Sequence, residues 1–236
     1  MADLSRRSRE PELMDAPDTD YATFRGCLRD LARVNRLSLG YRPTLGFLEG
    51  LRRAGRIGPG RPVEILDAGS GYGDALRAVD GWAARHGIAV RLTGVDLSPW
   101  SARAAREATA PGRPIRWVTG DIFDHEGRAD VILSALFAHH LDDAGVVRFL
   151  RWMEARARIG WFVNDLHRHR LAYHGFGPLA AAFRMHPFVR HDGPVSFARA
   201  FVPGDWRRLL AEAGVPEAEV RRRMPFRLCV GRVKPA

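Results

Sequence analysis

The chain has 236 residues, of which 46% are hydrophobic, so it can bury one substantial core but not two large ones. Its net charge of +10 is carried almost entirely by arginine, because Lys234 is the only lysine. That skew indicates a G+C-rich genome more than a polyanionic partner. With no signal peptide, no long apolar run and no paired spacing of Cys27 and Cys229, we expect a cytoplasmic protein without a membrane partner.

The first 60 residues divide into a polar stretch and a helical one. Residues 1–20 mix arginine, acids and proline with little to bury, which predicts a disordered tail. From Tyr21 onward apolar residues recur about every third position, and a second short helix is predicted over 44–54. We expect residues 21–60 to form a helical cap on a single domain spanning 21–236.

Short apolar runs alternate with amphipathic helices through the middle of the chain. This alternation predicts an α/β fold with a parallel sheet and helices on both faces. The predicted strands cover residues 63–66, 90–95, 115–118, 131–133 and 159–163.

The alternation stops in a histidine- and aromatic-rich stretch over 164–203, within which residues 166–204 read as an insertion after the fifth strand. A helix over 205–214 follows, ending at a glycine, and two last strands are predicted over 218–223 and 226–233.

The sequence VEILDAGSGYG, residues 63–73, is an apolar strand followed by a glycine turn. Gly69 and Gly71 let the backbone approach a ligand closely, as in dinucleotide-binding turns. The dinucleotide fingerprint needs a further glycine at position 74, where this chain has Asp74, and Asp67 precedes the turn. Because an acid at the strand end suits an ammonium group, the turn fits an adenosyl amino acid better than a dinucleotide.

Two further strand ends carry acids that extend this site. Asp96 lies 25 residues beyond Gly71 and is predicted to accept both ribose hydroxyls. Asp121 is predicted to accept the adenine amino group, with the Ile122 N–H bonding a ring nitrogen and Leu97 packing on the base.

These segments together resemble the class I S-adenosylmethionine-dependent methyltransferases, over residues 29–233. The run LSALFAHHL, residues 133–141, resembles the corresponding segment of small-molecule members related to the ubiquinone and menaquinone methyltransferases. The runs DLARVNR (30–36), VNDL (163–166) and RHDGPVSFARAF (190–201) resemble a bacterial subgroup associated with polyketide and other secondary metabolism.

The resemblance implies a Rossmann-like sheet of seven strands, mostly parallel with the last antiparallel, and S-adenosylmethionine bound at the ends of the first two strands. Ser134, after the fourth strand, is assigned to the cofactor as well. The reaction implied is in-line attack of an acceptor on the sulfonium methyl, which needs positioning, exclusion of water and, for a protonated acceptor, a base.

Candidate catalytic and acceptor-binding residues follow the fourth and fifth strands. The candidate catalytic residues are His140, Asp165 and His167, and the candidate acceptor-binding residues are His139, Tyr173, His191 and Arg199. His140 is the preferred base, because a neutral imidazole suits proton removal near pH 7; a packing role for it stays open. The spacing Asp165-x-His167-x-His169 also allows a metal site, but methyl transfer needs no Lewis acid, so we expect no metal.

The sequence therefore predicts an enzyme that methylates a small organic acceptor, at a hydroxyl or carboxyl oxygen or an activated carbon of an aromatic or polyketide-like metabolite. The alternatives are an RNA or protein methyltransferase, a non-catalytic S-adenosylmethionine-binding protein and a nicotinamide oxidoreductase. A nucleic-acid partner is disfavoured, and we expect a monomer or a homodimer.

Overall fold

The computed structural model describes residues 3–16 and 18–235; Met1, Ala2, Pro17 and Ala236 lie outside the described residues. Its strands are β1 (Val63–Ala68), β2 (Val90–Asp96), β3 (Ile115–Thr119), β4 (Ala129–Ala135), β5 (Ala157–Leu166), β6 (Glu219–Arg223) and β7 (Arg227–Val233). Its α-helices are α1 (Tyr21–Leu37), α2 (Arg42–Arg53), α3 (Asp74–Arg85), α4 (Pro99–Glu107), α5 (Asp143–Arg156), α6 (Arg170–Ala182), α7 (Pro187–Arg199) and α8 (Pro203–Ala213).

The seven strands form one sheet in the order β3-β2-β1-β4-β5-β7-β6. Strands β1 to β5 pair in parallel, whereas β7 runs antiparallel to both β5 and β6. The predicted seven-stranded fold and its antiparallel last strand are confirmed. The strand order reverses between β1 and β4, and ligands of such sheets bind in the crevice at that point, outside the carboxyl ends of the strands.

Each face of the sheet is covered by its own helices. On one face α2, α3 and α4 bury apolar side chains such as Leu48, Leu76 and Ala105 against the strands. On the other, α5 and α8 bury Phe149, Trp206 and their neighbours. The central strands are buried from both sides, which explains why their sequences read as continuous apolar runs.

The stretch over 164–203, which the sequence left irregular, forms the two helices α6 and α7, called the cap below. Helix α6 begins at His169 and α7 at His186, whose side chains accept the backbone N–H two residues ahead. Pro178 and Pro194 lie inside these helices and disguise their helical pattern in the sequence. His191 accordingly lies on helix α7.

Residues 3–16, called the N-terminal segment below, pack on the domain, so the predicted disordered tail over 1–20 is wrong for them. Leu13–Asp15 forms a 3-10 turn, and Met14 is buried in a cluster with Cys27, Ala180 and Val189 from α1 and the cap. The order of this segment could not be predicted from the sequence, because the segment buries few residues and its partners lie far away in the chain.

Within residues 3–16 and 18–235, every helix is too short or too polar to cross a lipid bilayer.

Candidate active site

The turn after β1 brings the backbone to the crevice. Gly69 has φ 72°, and a Cβ there would overlap the ring of Phe137. Gly73 has φ 72° at the start of α3, and a Cβ there would overlap the indole of Trp117. Both positions require glycine for conformation and for space. The turn is therefore fixed by packing as well as by sequence.

Asp67 lies under this turn with only 2% of its surface exposed. Its Oδ1 atom is buried and has no hydrogen-bond partner among the described residues. Burial, aided by the nearby charges of Asp74 and Asp96, raises the pKa of Asp67 well above its ordinary value. A buried carboxylate without a partner is costly, so this position is built for a cationic or hydrogen-bond-donating ligand.

A cavity of about 40 Å³ opens beside Asp67, between the ends of β1, β4 and β5 and the loop joining α1 to α2. The buried Arg227 also lines it, and its Nη2 donates to Asn35 Oδ1 at 2.7 Å. Asp74 is held nearby by the Tyr41 hydroxyl at 2.6 Å. An acid and an arginine that line one cavity match the ammonium and carboxylate of an amino acid.

Asp96 lies at the end of β2, beside the turn. Its Oδ2 accepts the Gly71 N–H at 2.8 Å and its Oδ1 accepts the Ser98 N–H at 3.0 Å. Burial raises the pKa of Asp96, and these two donors partly oppose the rise. Asp121, after β3, is exposed and caps the next turn by accepting the Phe123 N–H.

Across the crevice, His139 is buried between two acids. Its Nδ1 lies 2.7 Å from Asp165 Oδ1, and its backbone N–H donates to Asp165 Oδ2 at 3.1 Å. Its Nε2 lies 3.7 Å from Glu12 Oε1. Burial by itself would lower the pKa of His139, but Asp165 and Glu12 outweigh it and raise that pKa to about 9.

His140 lies beside His139, with ring centroids 4.4 Å apart, and its side chain is 28% exposed. Its Nδ1 lies 3.1 Å from Asp15 Oδ2, and its Nε2 lies 4.0 Å from Glu12 Oε1. Burial opposes ionisation of Glu12, but the two histidines outweigh it and lower the Glu12 pKa to about 2. Glu12, His139 and His140 are called the histidine cluster below.

Helix α7 and Arg7 hold the N-terminal segment in this position. Asp192 accepts the Leu13 N–H at 2.8 Å and the Met14 N–H at 3.0 Å. Arg199 donates to the carbonyls of His139, His140 and Glu10. Arg7 donates to Leu141 O and to Asp143, and stacks on Phe201. The segment is thus joined to both the cap and the turn that carries the histidines.

Residues 65–160, from β1 into β5, match the model of a methyltransferase domain. The match covers less than half of the chain, and the order and direction of the strands are those of the Rossmann-like methyltransferase fold. No curated protein matches the chain in sequence.

Solved structures with the same fold are distant in sequence. A candidate O-methyltransferase from Nostoc punctiforme is 16% identical with a TM-score of 0.58; the match covers 88% of this chain and only 60% of that protein. An S-adenosylmethionine-dependent methyltransferase from Aquifex aeolicus is 15% identical with a TM-score of 0.60, over 92% and 99% of the two chains. The magnesium protoporphyrin IX methyltransferase of Synechocystis, solved with S-adenosylmethionine, is 15% identical with a TM-score of 0.53, over 84% and 81%. These identities establish the fold alone.

The residues predicted to bind the cofactor lie at the carboxyl edge of the sheet. Leu97 is 73% exposed there and Ile122 is buried beneath the Asp121 turn. Ser134 is buried and donates to Ala68 O at 3.0 Å, so in this structure it supports the β1 turn. The cofactor contacts themselves stay predictions.

Three predicted acceptor-binding residues have contacts that differ from that role, and Asp165 contacts one of them. Asp165 is fully buried and binds Nδ1 of His139, so it can orient that histidine; its catalytic role stays a prediction. The guanidinium of Arg199 donates only to backbone carbonyls, so it is a clamp here. His139 is 3% exposed and held by acids. His191, which is exposed, contacts Asp192 at 2.9 Å.

The other predicted positions lie on the cap side. His167 is half-buried, its ring 5.7 Å from that of His169, and burial with nearby Arg222 lowers its pKa. His169 caps α6, so the spacing that suggested a metal site serves helix initiation. Tyr173 is half-buried on α6.

Sequence analysis missed Glu12, Asp15 and Arg227. The first two lie in a stretch without periodicity, and the third lies on a strand whose neighbours are apolar. The only signal was a charged residue within the apolar run of β7.

Proposed function

We propose that the protein transfers a methyl group from S-adenosylmethionine to a small organic acceptor that binds beside the histidine cluster. The observation that carries the proposal is the buried carboxylate of Asp67 beneath a glycine turn, whose Oδ1 has no hydrogen-bond partner among residues 3–16 and 18–235 and which lines a cavity together with Arg227. Asp96 stands at the adjacent strand end, where a ribose would lie.

The chain's residues fit S-adenosylmethionine. Asp67 would hold the ammonium of its amino-acid part and Arg227 the carboxylate, while Asp96 would accept its ribose hydroxyls. The cavity takes only the charged end of the molecule, so the nucleoside would extend outward past Gly71 toward Asp121 and Leu97. Two compared structures of the magnesium protoporphyrin IX enzyme, solved with S-adenosylmethionine and with S-adenosylhomocysteine, support the same donor here.

When bound, S-adenosylmethionine supplies an electrophilic methyl on a positively charged sulfur. The protein aligns an acceptor atom with that methyl, which accelerates the reaction through positioning, and it excludes water from the site. The cap and the N-terminal segment cover the crevice opposite the turn. A proton lost from an acceptor hydroxyl in the crevice would be released next to the histidine cluster. Of the two imidazoles in the cluster, that of His140 is the more exposed.

The class of acceptor is proposed by analogy with the compared proteins. One is named for a porphyrin, and another is the methyltransferase domain of the citrinin polyketide synthase. We infer a planar aromatic or polyketide-like metabolite, methylated at a hydroxyl or carboxyl oxygen or an activated carbon, in bacterial secondary metabolism in the cytoplasm. A monomer carries the complete set of residues, and a homodimer is compatible with it.

The test is incubation of the protein and a cell extract with S-adenosylmethionine labelled in the methyl group, followed by separation of small molecules, RNA and protein. We expect label in the small-molecule fraction. Asp96→Ala serves as the control that should transfer much less label at a donor concentration below saturation, and Glu126→Ala, in an exposed loop, as the matched control that should transfer normally. Label in RNA or protein would contradict the acceptor class, and binding of the donor without transfer to any fraction would indicate a non-catalytic protein.

A further inference from the structure

The histidine cluster has the composition and arrangement of a metal site. Glu12 Oε1, His139 Nε2 and His140 Nε2 all lie within 4.8 Å of one another. The two measured separations from Glu12, 3.7 and 4.0 Å, are too long for hydrogen bonds. The three atoms therefore face one another without bonding directly.

The second nitrogen of each imidazole is held by a carboxylate. Asp165 binds Nδ1 of His139 at 2.7 Å, and Asp15 binds Nδ1 of His140 at 3.1 Å. This pairing fixes each ring so that Nε2 points into the cluster, and it is the usual outer arrangement of metal-ligating histidines. Two independent carboxylates from distant segments serve the same purpose here.

The spacing suits a small divalent ion. Two ligand atoms bound to one zinc ion at ~2.1 Å lie roughly 3.4 Å apart in a tetrahedral site. The separations of 3.7 and 4.0 Å from Glu12 exceed this by well under an ångström, and the separation between the two histidine nitrogens is at most 4.8 Å. Glu12 is 5% and His139 3% exposed, which keeps competing water away from two of the three ligands. Three carboxylates surround two imidazoles, and a divalent cation balances two of those negative charges.

We propose that Glu12, His139 and His140 bind a divalent transition-metal ion, with zinc as the reference ion, and that its open position faces the acceptor. Two nitrogen ligands and one oxygen ligand favour zinc, cobalt or iron over magnesium and calcium, which prefer oxygen alone. Three protein ligands with an open fourth position are typical of catalytic zinc.

This proposal rests on the proposed function only in placing the acceptor at the open position, where the ion would bind the acceptor oxygen and lower the pKa of its hydroxyl. It also replaces the role that the sequence predicts for His140. The same Nε2 cannot bind a metal and act as a base, so metal binding decides between the two roles.

The test is titration of chelator-treated protein with zinc in a calorimeter, and with cobalt under visible absorption spectroscopy. We expect one saturable site per chain, and cobalt bands typical of four-coordinate nitrogen and oxygen ligation. Glu12→Gln should weaken zinc binding at least tenfold. Glu10→Gln, an exposed acid of the same segment, is the matched control and should change nothing.

A second variant guards against misfolding, since Glu12 is buried. His140→Ala alters a partly exposed side chain and should also weaken zinc binding at least tenfold, whereas His174→Ala, exposed on α6, should not. Absence of saturable binding, or unchanged affinity in both Glu12→Gln and His140→Ala, would overturn the metal site and leave the proposed function standing. Zinc binding without methyl transfer to small molecules would overturn the function and leave the site.

Discussion

The two sides of the crevice are assembled in different ways. The donor side, apart from Arg227 on β7, runs from Asp67 through the glycine turn to Asp96 and comes from one continuous strand-turn-helix-strand unit. The acceptor side joins Glu12 and Asp15 to the turn after β4 and to Asp165 at the end of β5, with α7 holding the N-terminal segment. One side is local in sequence, and the other exists only when segments from the whole chain have folded together.

The difference extends to how each side deals with buried charge. On the donor side Oδ1 of Asp67 is buried with no hydrogen-bond partner in the described part of the chain, so its stabilisation awaits a ligand. On the acceptor side His139 lies between Asp165 and Glu12 and compensates part of their negative charge. The acceptor side should therefore contribute to stability, and the donor side should reduce it. Substitutions on each side test this contrast.

The largest effect is expected from Asp165→Asn. Asp165 is fully buried and holds both Nδ1 and the backbone N–H of His139. Removal of one partner of a buried, hydrogen-bonded charge pair costs about 3–5 kcal/mol. In this variant His139 keeps only Glu12, at 3.7 Å, to compensate its charge. Denaturant unfolding should report a loss of that size.

Asp124→Asn, at an exposed 3-10 turn, is the matched control and should change the free energy of unfolding by less than about 0.5 kcal/mol. A loss below about 1 kcal/mol in Asp165→Asn would contradict the view that this pair stabilises the acceptor side.

Asp96→Ala should affect donor binding more than stability. The carboxylate is predicted to accept two ribose hydroxyls, and charge-assisted hydrogen bonds of this kind are worth at least ~2 kcal/mol, roughly 30-fold in affinity. Calorimetric titration with S-adenosylmethionine measures the change, with Glu126→Ala as the control. Affinity near that of the wild type would exclude the ribose assignment.

Asp96 and Asp165 also differ in how much of their surroundings the sequence predicts. Asp96 was assigned because strand, acid and glycine turn recur at regular spacing, and the structure places it at the predicted strand end. All seven strands were predicted, and β1 to β5 were recognised as apolar runs of limited length, whereas β6 is mostly arginine. Local patterns were sufficient wherever the structure itself is local.

The acceptor side could not be interpreted in this way. Glu12 and Asp15 stand in a polar stretch whose order comes from Asp192 and Arg199, far along the chain. His139 and His140 are neighbours of identical chemistry, and only folding makes one 3% and the other 28% exposed. Pro178 and Pro194 hid two helices by interrupting their pattern. Contacts of long sequence separation carry no signal in a single sequence.

Asp192→Asn should loosen the acceptor side alone. It weakens two charge-assisted bonds to Leu13 and Met14, and a loss of about 1.5 kcal/mol would speed exchange of those amides roughly tenfold. Hydrogen exchange measures this directly. Acceptor turnover should fall while S-adenosylmethionine affinity stays constant; an equal loss of both would contradict the separation of the two sides.

The smallest effect on stability, and the only one of opposite sign, is expected at Asp67. Because burial raises the pKa of Asp67, the folded state holds a proton that the unfolded state releases once pH passes the ordinary aspartate value. Stability of the free protein therefore falls as pH rises from that value through the folded pKa, and Asp67→Asn should remove this dependence. At neutral pH the variant should be more stable by about 1 kcal/mol, while its affinity for S-adenosylmethionine drops at least tenfold. Thermal unfolding across pH, with and without the donor, measures both. A variant less stable than the wild type at neutral pH would mean that Asp67 has a partner in the free protein, and the contrast between the two sides would be lost.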